Sequence, residues 1–343
     1  MTAKERIAYL DVAKGICILL VIIFHLTESF AVELPMAHIF TVLRLPLFFF
    51  LSGCFFRPYN SWLDFLKHKT NQLLIPFIFW FLLISVLIAY IYGQLGIPVF
   101  RLEPISIGYS VIQLWNEENY VNIPTWFLLC LFNINIIFYG IHTTALNLSK
   151  RHSTLLICAM SLFFGILGLI ISYYGIPSHL YMKRTFLCIP FFAFGYICAH
   201  HSDILKPHPY DKFIPLYLLG LIALLYFCTP KKFIVHESYS EIQNYLFYHP
   251  SGCIGAFFVL LISKYVKNIP VVRWWGRYSI IILILHLFFY KHIMLIGRYT
   301  HLLDSSWTSI WIVFFLTMAC CSAAIPICKR FFPHVTAQKD LLK

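Results

Sequence analysis

Residues 11–28 read Asp11-Val-Ala-Lys14-Gly-Ile-Cys-Ile-Leu-Leu-Val-Ile-Ile-Phe-His25-Leu-Thr-Glu28. Between its charged ends this run is almost all Ile, Leu, Val and Phe, and it approaches the roughly 20 residues that a helix needs to cross a bilayer. At about 100° per residue, eleven steps bring a helix back to within roughly 20° of where it began. Lys14 and His25 therefore share one face, and Asp11 and Glu28 fall within about 40–60° of it. A polar stripe on a lipid-soluble helix is costly, so such stripes face a bundle interior or a wet cavity and carry function. A lone histidine would read more simply as one satisfied by a neighbouring carbonyl. Four ionisable groups on one face of one span favour function.

The rest of the chain agrees with a membrane setting. Its 343 residues are 60% hydrophobic and 12% charged, with a mean hydropathy of +0.78. A soluble core of this size does not absorb so much apolar surface. The expected fold class is an all-α, polytopic transmembrane helix bundle. Ten stretches of spanning length can be drawn, at about 11–32, 39–57, 73–93, 123–141, 154–173, 185–200, 213–229, 250–266, 278–297 and 307–328. The apolar run after the charged N-terminus has no small-residue cleavage site behind it and reads as a retained span.

The net charge of +12 would suggest nucleic acid in a soluble protein. Here the basic residues collect in short loops, so no nucleic-acid partner is expected and the charge reads as orientation. With the N-terminus in the cytoplasm, seventeen of the 26 Lys and Arg lie on inner segments and six on outer ones. The remaining three, Lys14, Arg44 and Lys291, lie inside spans. That bias favours both termini in the cytoplasm, and the protein is expected in the cell inner (cytoplasmic) membrane as a multi-pass protein. Two outer loops, about 94–122 and 230–249, are long and mix aromatics with Glu, Asn and Tyr.

Further polar positions stand out inside or beside the spans. His286 lies in an apolar run ending Leu285-His286-Leu287, where packing and function are equally good readings. Arg44, in Leu43-Arg44-Leu45-Pro46, is explained as well by snorkelling to headgroups as by binding an anion or substrate. Lys183 and Arg184 open the sixth span from the outside. Trp126, in Pro124-Thr-Trp126-Phe, falls at an interface where tryptophan is common for physical reasons alone. The eleven cysteines lie mostly in apolar stretches with no paired C-x-x-C motifs, so inert buried thiols and no bound metal are expected. Ser52 lacks a nucleophile-elbow context. No Walker, dinucleotide-binding or H-E-x-x-H motif is present.

Taken in order, these elements resemble the acyltransferase 3 family of integral membrane acyltransferases. Arg6-Ile-Ala-Tyr-Leu-Asp11-Val-Ala-Lys14-Gly15 followed by His25 is similar to that family's first-span signature, a basic residue, ten residues, then histidine. Pro46-Leu-Phe-Phe-Phe-Leu-Ser52-Gly53 resembles its second span. Leu73-Leu-Ile-Pro76-Phe, Pro124-Thr-Trp126-Phe-Leu-Leu and Phe191-Phe-Ala-Phe-Gly195-Tyr resemble its third, fourth and sixth. Gly276-Arg-Tyr-Ser279 with Leu285-His286 resembles a late-span pattern. The likeness covers nearly the whole chain as a single membrane-embedded acyltransferase domain, and length and span count look most like the fucose 4-O-acetylase-like branch. Two positions depart from it: Lys14 stands where arginine is frequent, and Arg44 where relatives of that branch often carry histidine.

The resemblance implies transfer of an acyl group, usually acetyl from acetyl-CoA, to a hydroxyl of a cell-surface or lipid-linked carbohydrate. It assigns His25 as general base with Glu28 orienting it, and Lys14 with Asp11 at the acyl-CoA. Arg44, Arg184, Trp126 and His286 would hold the acceptor. Membrane lipids are the only other partner implied. Direct base catalysis and a transient acyl-histidine both fit. The competing readings are a transporter or flippase of a glycan or lipid-linked sugar, a non-catalytic scaffold, and succinyl transfer within the enzyme class.

Overall fold

The first apolar stretch folds as α1 (Ala8–Phe30), which packs against five other helices of the bundle. The structure is a computed structural model and describes residues 8–59, 61–97, 107–117, 122–229 and 242–342. Lys4, Arg6, Arg101, Lys231, Lys232 and Lys343, which enter the charge argument above, lie outside the described residues. After α1 come α2 (Ala37–Cys54), α3 (Trp62–Lys69), α4 (Ile75–Trp80), α5 (Ala89–Gln94) and a short α6 (Ile107–Trp115). Next are α7 (Trp126–Leu148), α8 (Ser153–Tyr173), α9 (Met182–His200), α10 (Ile214–Cys228) and α11 (Ile242–Val266). The short α12 (Pro270–Arg277), α13 (Ser279–Tyr299) and α14 (Trp307–Phe331) complete the chain. All regular structure among the described residues is helical, and ten of its helices are long and apolar enough to cross a membrane.

These ten coincide with the ten expected stretches, with differences at three places. The third span begins at Trp62 rather than near residue 73. The segments α3, α4 and α5 join through π-helical turns at Thr70–Leu74 and Phe81–Ile88 into one 33-residue helix, Trp62–Gln94. At 1.5 Å per residue this rod is about 50 Å long and outruns a hydrocarbon core of about 30 Å. Lys67 and Lys69 lie on its first turns, capped by Ser61, whose hydroxyl accepts from the Leu63 amide at 3.1 Å. The fourth helix continues to Leu148, seven residues past its apolar stretch, because a helix need not stop where water begins. The long loop expected at 230–249 is helical from Ile242 onward.

Helix α1 packs against α2, α11, α12, α13 and α14, and α2 packs in turn against α9 and α11. With little hydrophobic drive between helices in lipid, close backbone approach has to come from small residues. A Cβ on Gly195 of α9 would lie 1.9 Å from the Phe50 carbonyl oxygen of α2. One on Gly53 of α2 would lie 1.9 Å from the Phe192 carbonyl oxygen of α9. Gly276 of α12 approaches α1 just as closely, at the Asp11 carbonyl. Helices α8 and α10 are largely exposed in the bundle and present Leu155, Phe163, Leu216, Leu219 and Phe227 outward, as lipid-facing helices do.

The chain after α14 turns back onto the third rod. The buried Asn71 side chain, in the first π-helical turn, accepts from the amides of Leu341 and Leu342 and donates to the Leu342 carbonyl. The Trp80 indole donates to the Val335 carbonyl at 2.8 Å.

Candidate functional site

Helices α1 and α13 bring two histidines face to face inside the bundle. The His25 and His286 ring centroids are 5.7 Å apart, tilted by 33°. His286 is fully buried, and its Nδ1 lies 2.9 Å from the Ile282 carbonyl one turn back. A carbonyl can only accept, so Nδ1 carries the proton and the neutral ring presents Nε2 as a bare acceptor. That Nε2 is buried and has no hydrogen-bond partner. His25 Nδ1 lies 3.4 Å from Glu28 Oε2, one turn along α1. The carboxylate also only accepts, which favours the His25 tautomer with Nε2 bare. Two imidazoles thus share one space with both outer nitrogens fit to receive a proton.

The surround is aromatic and hydroxylated. Tyr290, one turn beyond His286 with rings 6.3 Å apart, accepts from the Ser29 hydroxyl at 3.3 Å. The Phe24 ring stands edge-on to His25. Glu28 is the outlying member: 57% of its side chain is exposed, against 20% for His25. Charges on Arg44, Glu28 and Lys291 act on the His25 ring.

Arg44 comes to this space from α2. It is buried, and the Cys17 thiol donates to its backbone carbonyl at 3.0 Å, fixing α2 against α1. Its guanidinium runs along α1 to the Phe24 ring, with Cζ 3.4 Å from the ring centroid. The cation is thus buried against α1 inside the bundle.

Lys14 lies about 16 Å from His25 along α1, from a rise of 1.5 Å per residue. Its Nζ stands 3.8 Å over the Phe55 ring, in the turn after α2. The next residue, Phe56, packs among Phe65, Phe138, His142, Phe192 and Tyr196, while Phe55 itself is exposed. Asp11 is buried at the crossing of α1 and α12.

Trp126 and Arg184 meet on a different pair of helices, α7 and α9. The Arg184 guanidinium carbon lies 4.8 Å from the Trp126 ring and 5.0 Å from that of Tyr181. Leu180 and Tyr181 both hold positive φ (52° and 62°), an unusual conformation for bulky residues. Asn133 of α7 secures that turn by donating to the Leu180 carbonyl at 3.0 Å. Helix α2 runs between this group and the histidines: its Phe48 and Phe49 pack on Phe127, next to Trp126, while its Arg44 reaches Phe24.

Sequence reading overlooked Phe24, Tyr181 and Tyr290. Tyr290 carried a signal, since it stands at the i+4 spacing from His286. Tyr181 carried none, because its role depends on a backbone turn. Among the described residues no group of three or more His, Cys, Asp or Glu is placed to hold a metal ion, and all eleven cysteines are free.

The model of the acyltransferase 3 family, described as an acyltransferase domain, matches residues 7–327, nearly the whole chain. No curated protein and no solved structure matches.

Proposed function

From the premise that the chain belongs to the acyltransferase 3 family, we propose that it is a membrane O-acetyltransferase of the fucose 4-O-acetylase-like branch. It moves acetyl from acetyl-CoA to a hydroxyl of a cell-surface or lipid-linked carbohydrate. The observation that carries this reading is the histidine pair inside the bundle, the fully buried His286 with its unbonded Nε2 and the partly buried His25 beside Glu28. A fully buried imidazole nitrogen with nothing to bond is costly, which argues for a ligand hydroxyl to complete it.

In this reading the protein lies in the inner membrane with both termini in the cytoplasm, as the loop charges favour. Lys14, with Asp11 one turn before it, stands at the cytoplasmic end and draws the phosphates of CoA. The long pantetheine arm carries the thioester inward along α1. His25 Nε2 takes the proton of the sugar hydroxyl, with Glu28 holding the ring through Nδ1. His286 Nε2 accepts from the bound sugar, and Trp126 with Arg184 forms a more distant platform for the glycan.

The experiment compares surface glycans by mass spectrometry in cells with wild-type protein, with His25→Ala and without the gene. The proposal expects the His25→Ala and deleted cells to lose the same acetyl group, with the variant present in the membrane at normal level. Glycans still fully acetylated in the His25→Ala cells would overturn it.

A further inference from the structure

We infer that Arg44, instead of gripping the acceptor as the sequence suggested, stabilises the oxyanion formed during acyl transfer. This assignment rests on the acyltransferase reading above. Arg44 is 6% exposed, and its buried Nε has no hydrogen-bond partner. Its guanidinium contacts the face of Phe24, the residue before His25. A guanidinium remains protonated under all ordinary conditions. The carboxylate of the largely exposed Glu28 acts on it only from a distance, without an ion pair. Burying a guanidinium without a directly bonded carboxylate costs several kcal/mol in typical proteins, and such a group is suited to meet negative charge that arrives beside it.

The position suits a charge that develops beside the base. The Cys17 thiol bonds the Arg44 carbonyl, and the Phe24 ring packs 3.4 Å from the guanidinium carbon, so the cation is held in place before reaction. Preorganised donors in a dry site are the usual means of stabilising a tetrahedral intermediate. His25 Nε2 accepts the proton from the acceptor hydroxyl, and the oxygen attacks the thioester carbonyl carbon. A C–O bond forms, and the carbonyl π pair moves onto oxygen, where the Arg44 N–H groups bond it. The intermediate then collapses: the C–S bond breaks, and the CoA thiolate takes the proton back from His25. Ester and free CoA leave, with no oxidant or reductant required.

The test uses membranes of the producing cells, which carry their own acceptor, with acetyl-CoA labelled in the acetyl group. Full-length wild-type protein is compared with Arg44→Met, Arg44→Lys and His25→Ala. We expect Arg44→Met to lower kcat by about 10²–10³-fold, the usual cost of losing such a donor, with KM for acetyl-CoA changed little. Arg44→Lys restores part of kcat because charge returns without the planar fork. Removing a buried cation that no carboxylate bonds directly leaves thermal stability equal or higher, a result that a merely structural stacking role would reverse. If Arg44→Met is poorly folded, the kcat and KM of Arg44→Lys decide the matter. Unchanged kcat, or a change confined to KM, overturns the assignment while leaving acyl transfer intact. Absence of any His25-dependent labelling in wild-type membranes overturns the acyltransferase reading itself, and the assignment with it.

Discussion

His25 and His286 form a pair because each ring's Nδ1 faces a group that can only accept, Glu28 in one case and the Ile282 carbonyl in the other. That arrangement fixes which nitrogen of each imidazole meets a ligand. It predicts a separation of effects on replacing His286 by Leu. The unsatisfied Nε2 disappears, so the melting temperature of the purified protein holds or rises. The acceptor loses one hydrogen bond, so its KM rises by about tenfold, the equivalent of roughly 1.4 kcal/mol. A lower melting temperature with unchanged KM would mark His286 as a packing residue. At this scale the sequence was legible along a single helix only. The eleven-residue interval exposed Lys14 and His25, since helical periodicity is a local property. The meeting of Arg44 with Phe24 depends on how α2 leans on α1, and no spacing within either segment encodes it.

The elements are held by backbone contact where side chains are missing. Helices α2 and α9 exchange glycines against each other's carbonyls, Gly195 on Phe50 and Gly53 on Phe192. Gly195→Val drives carbon into backbone, and overpacking of this kind costs about 1–3 kcal/mol. Detergent-solubilised protein with that change should unfold at a measurably lower temperature, and an unaltered melt would mean that the helices are not so close. The C-terminal segment offers a second case. Asn71→Ala removes three hydrogen bonds to residues 341 and 342, so added protease should trim the C-terminus faster than in wild type, with the rest of the protein intact.

Outside the membrane, the turn before α14 responds to pH. Asp304 accepts from the hydroxyls of Ser306 and Ser309, and these bonds hold its carboxyl below the usual carboxylate range. An acid depressed in the folded state adds stability above its unfolded value of about 3.9 and loses it as pH falls through the folded value. Amide exchange at Ser309, whose N–H is capped by Ser306, should therefore quicken only in strong acid, and Asp304→Asn should remove that dependence. Existence of the ten long helices was readable from hydropathy, while the ends of the third were not. Lys67 and Lys69 look like a loop in composition, yet they lie on the continuous 33-residue helix Trp62–Gln94.

For the whole molecule, α1 is the axis on which the account turns. It touches α2, α11, α12, α13 and α14, and it carries Lys14 near one end and His25 toward the other. The proposed reaction needs that axis to point from a cytoplasmic acyl-CoA toward an outward-facing glycan. Labelling tests the direction: a membrane-impermeant reagent should reach tags on both termini in inside-out vesicles and neither in intact cells. The all-helical arrangement with ten long apolar helices was legible as composition, because lipid solvation acts on segments as units. The chemistry was not legible from composition, since a transporter of glycans would share it.

One measurement separates these possibilities most directly: release of free CoA from acetyl-CoA by membranes containing the protein, coupled to label appearing in their carbohydrate. The account predicts release and labelling in equal amounts with wild-type protein. Both should fall to background in His25→Ala at equal protein level, without a stable acyl-protein. Transport of glycan without CoA release, or undiminished release from the His25→Ala protein, would contradict it.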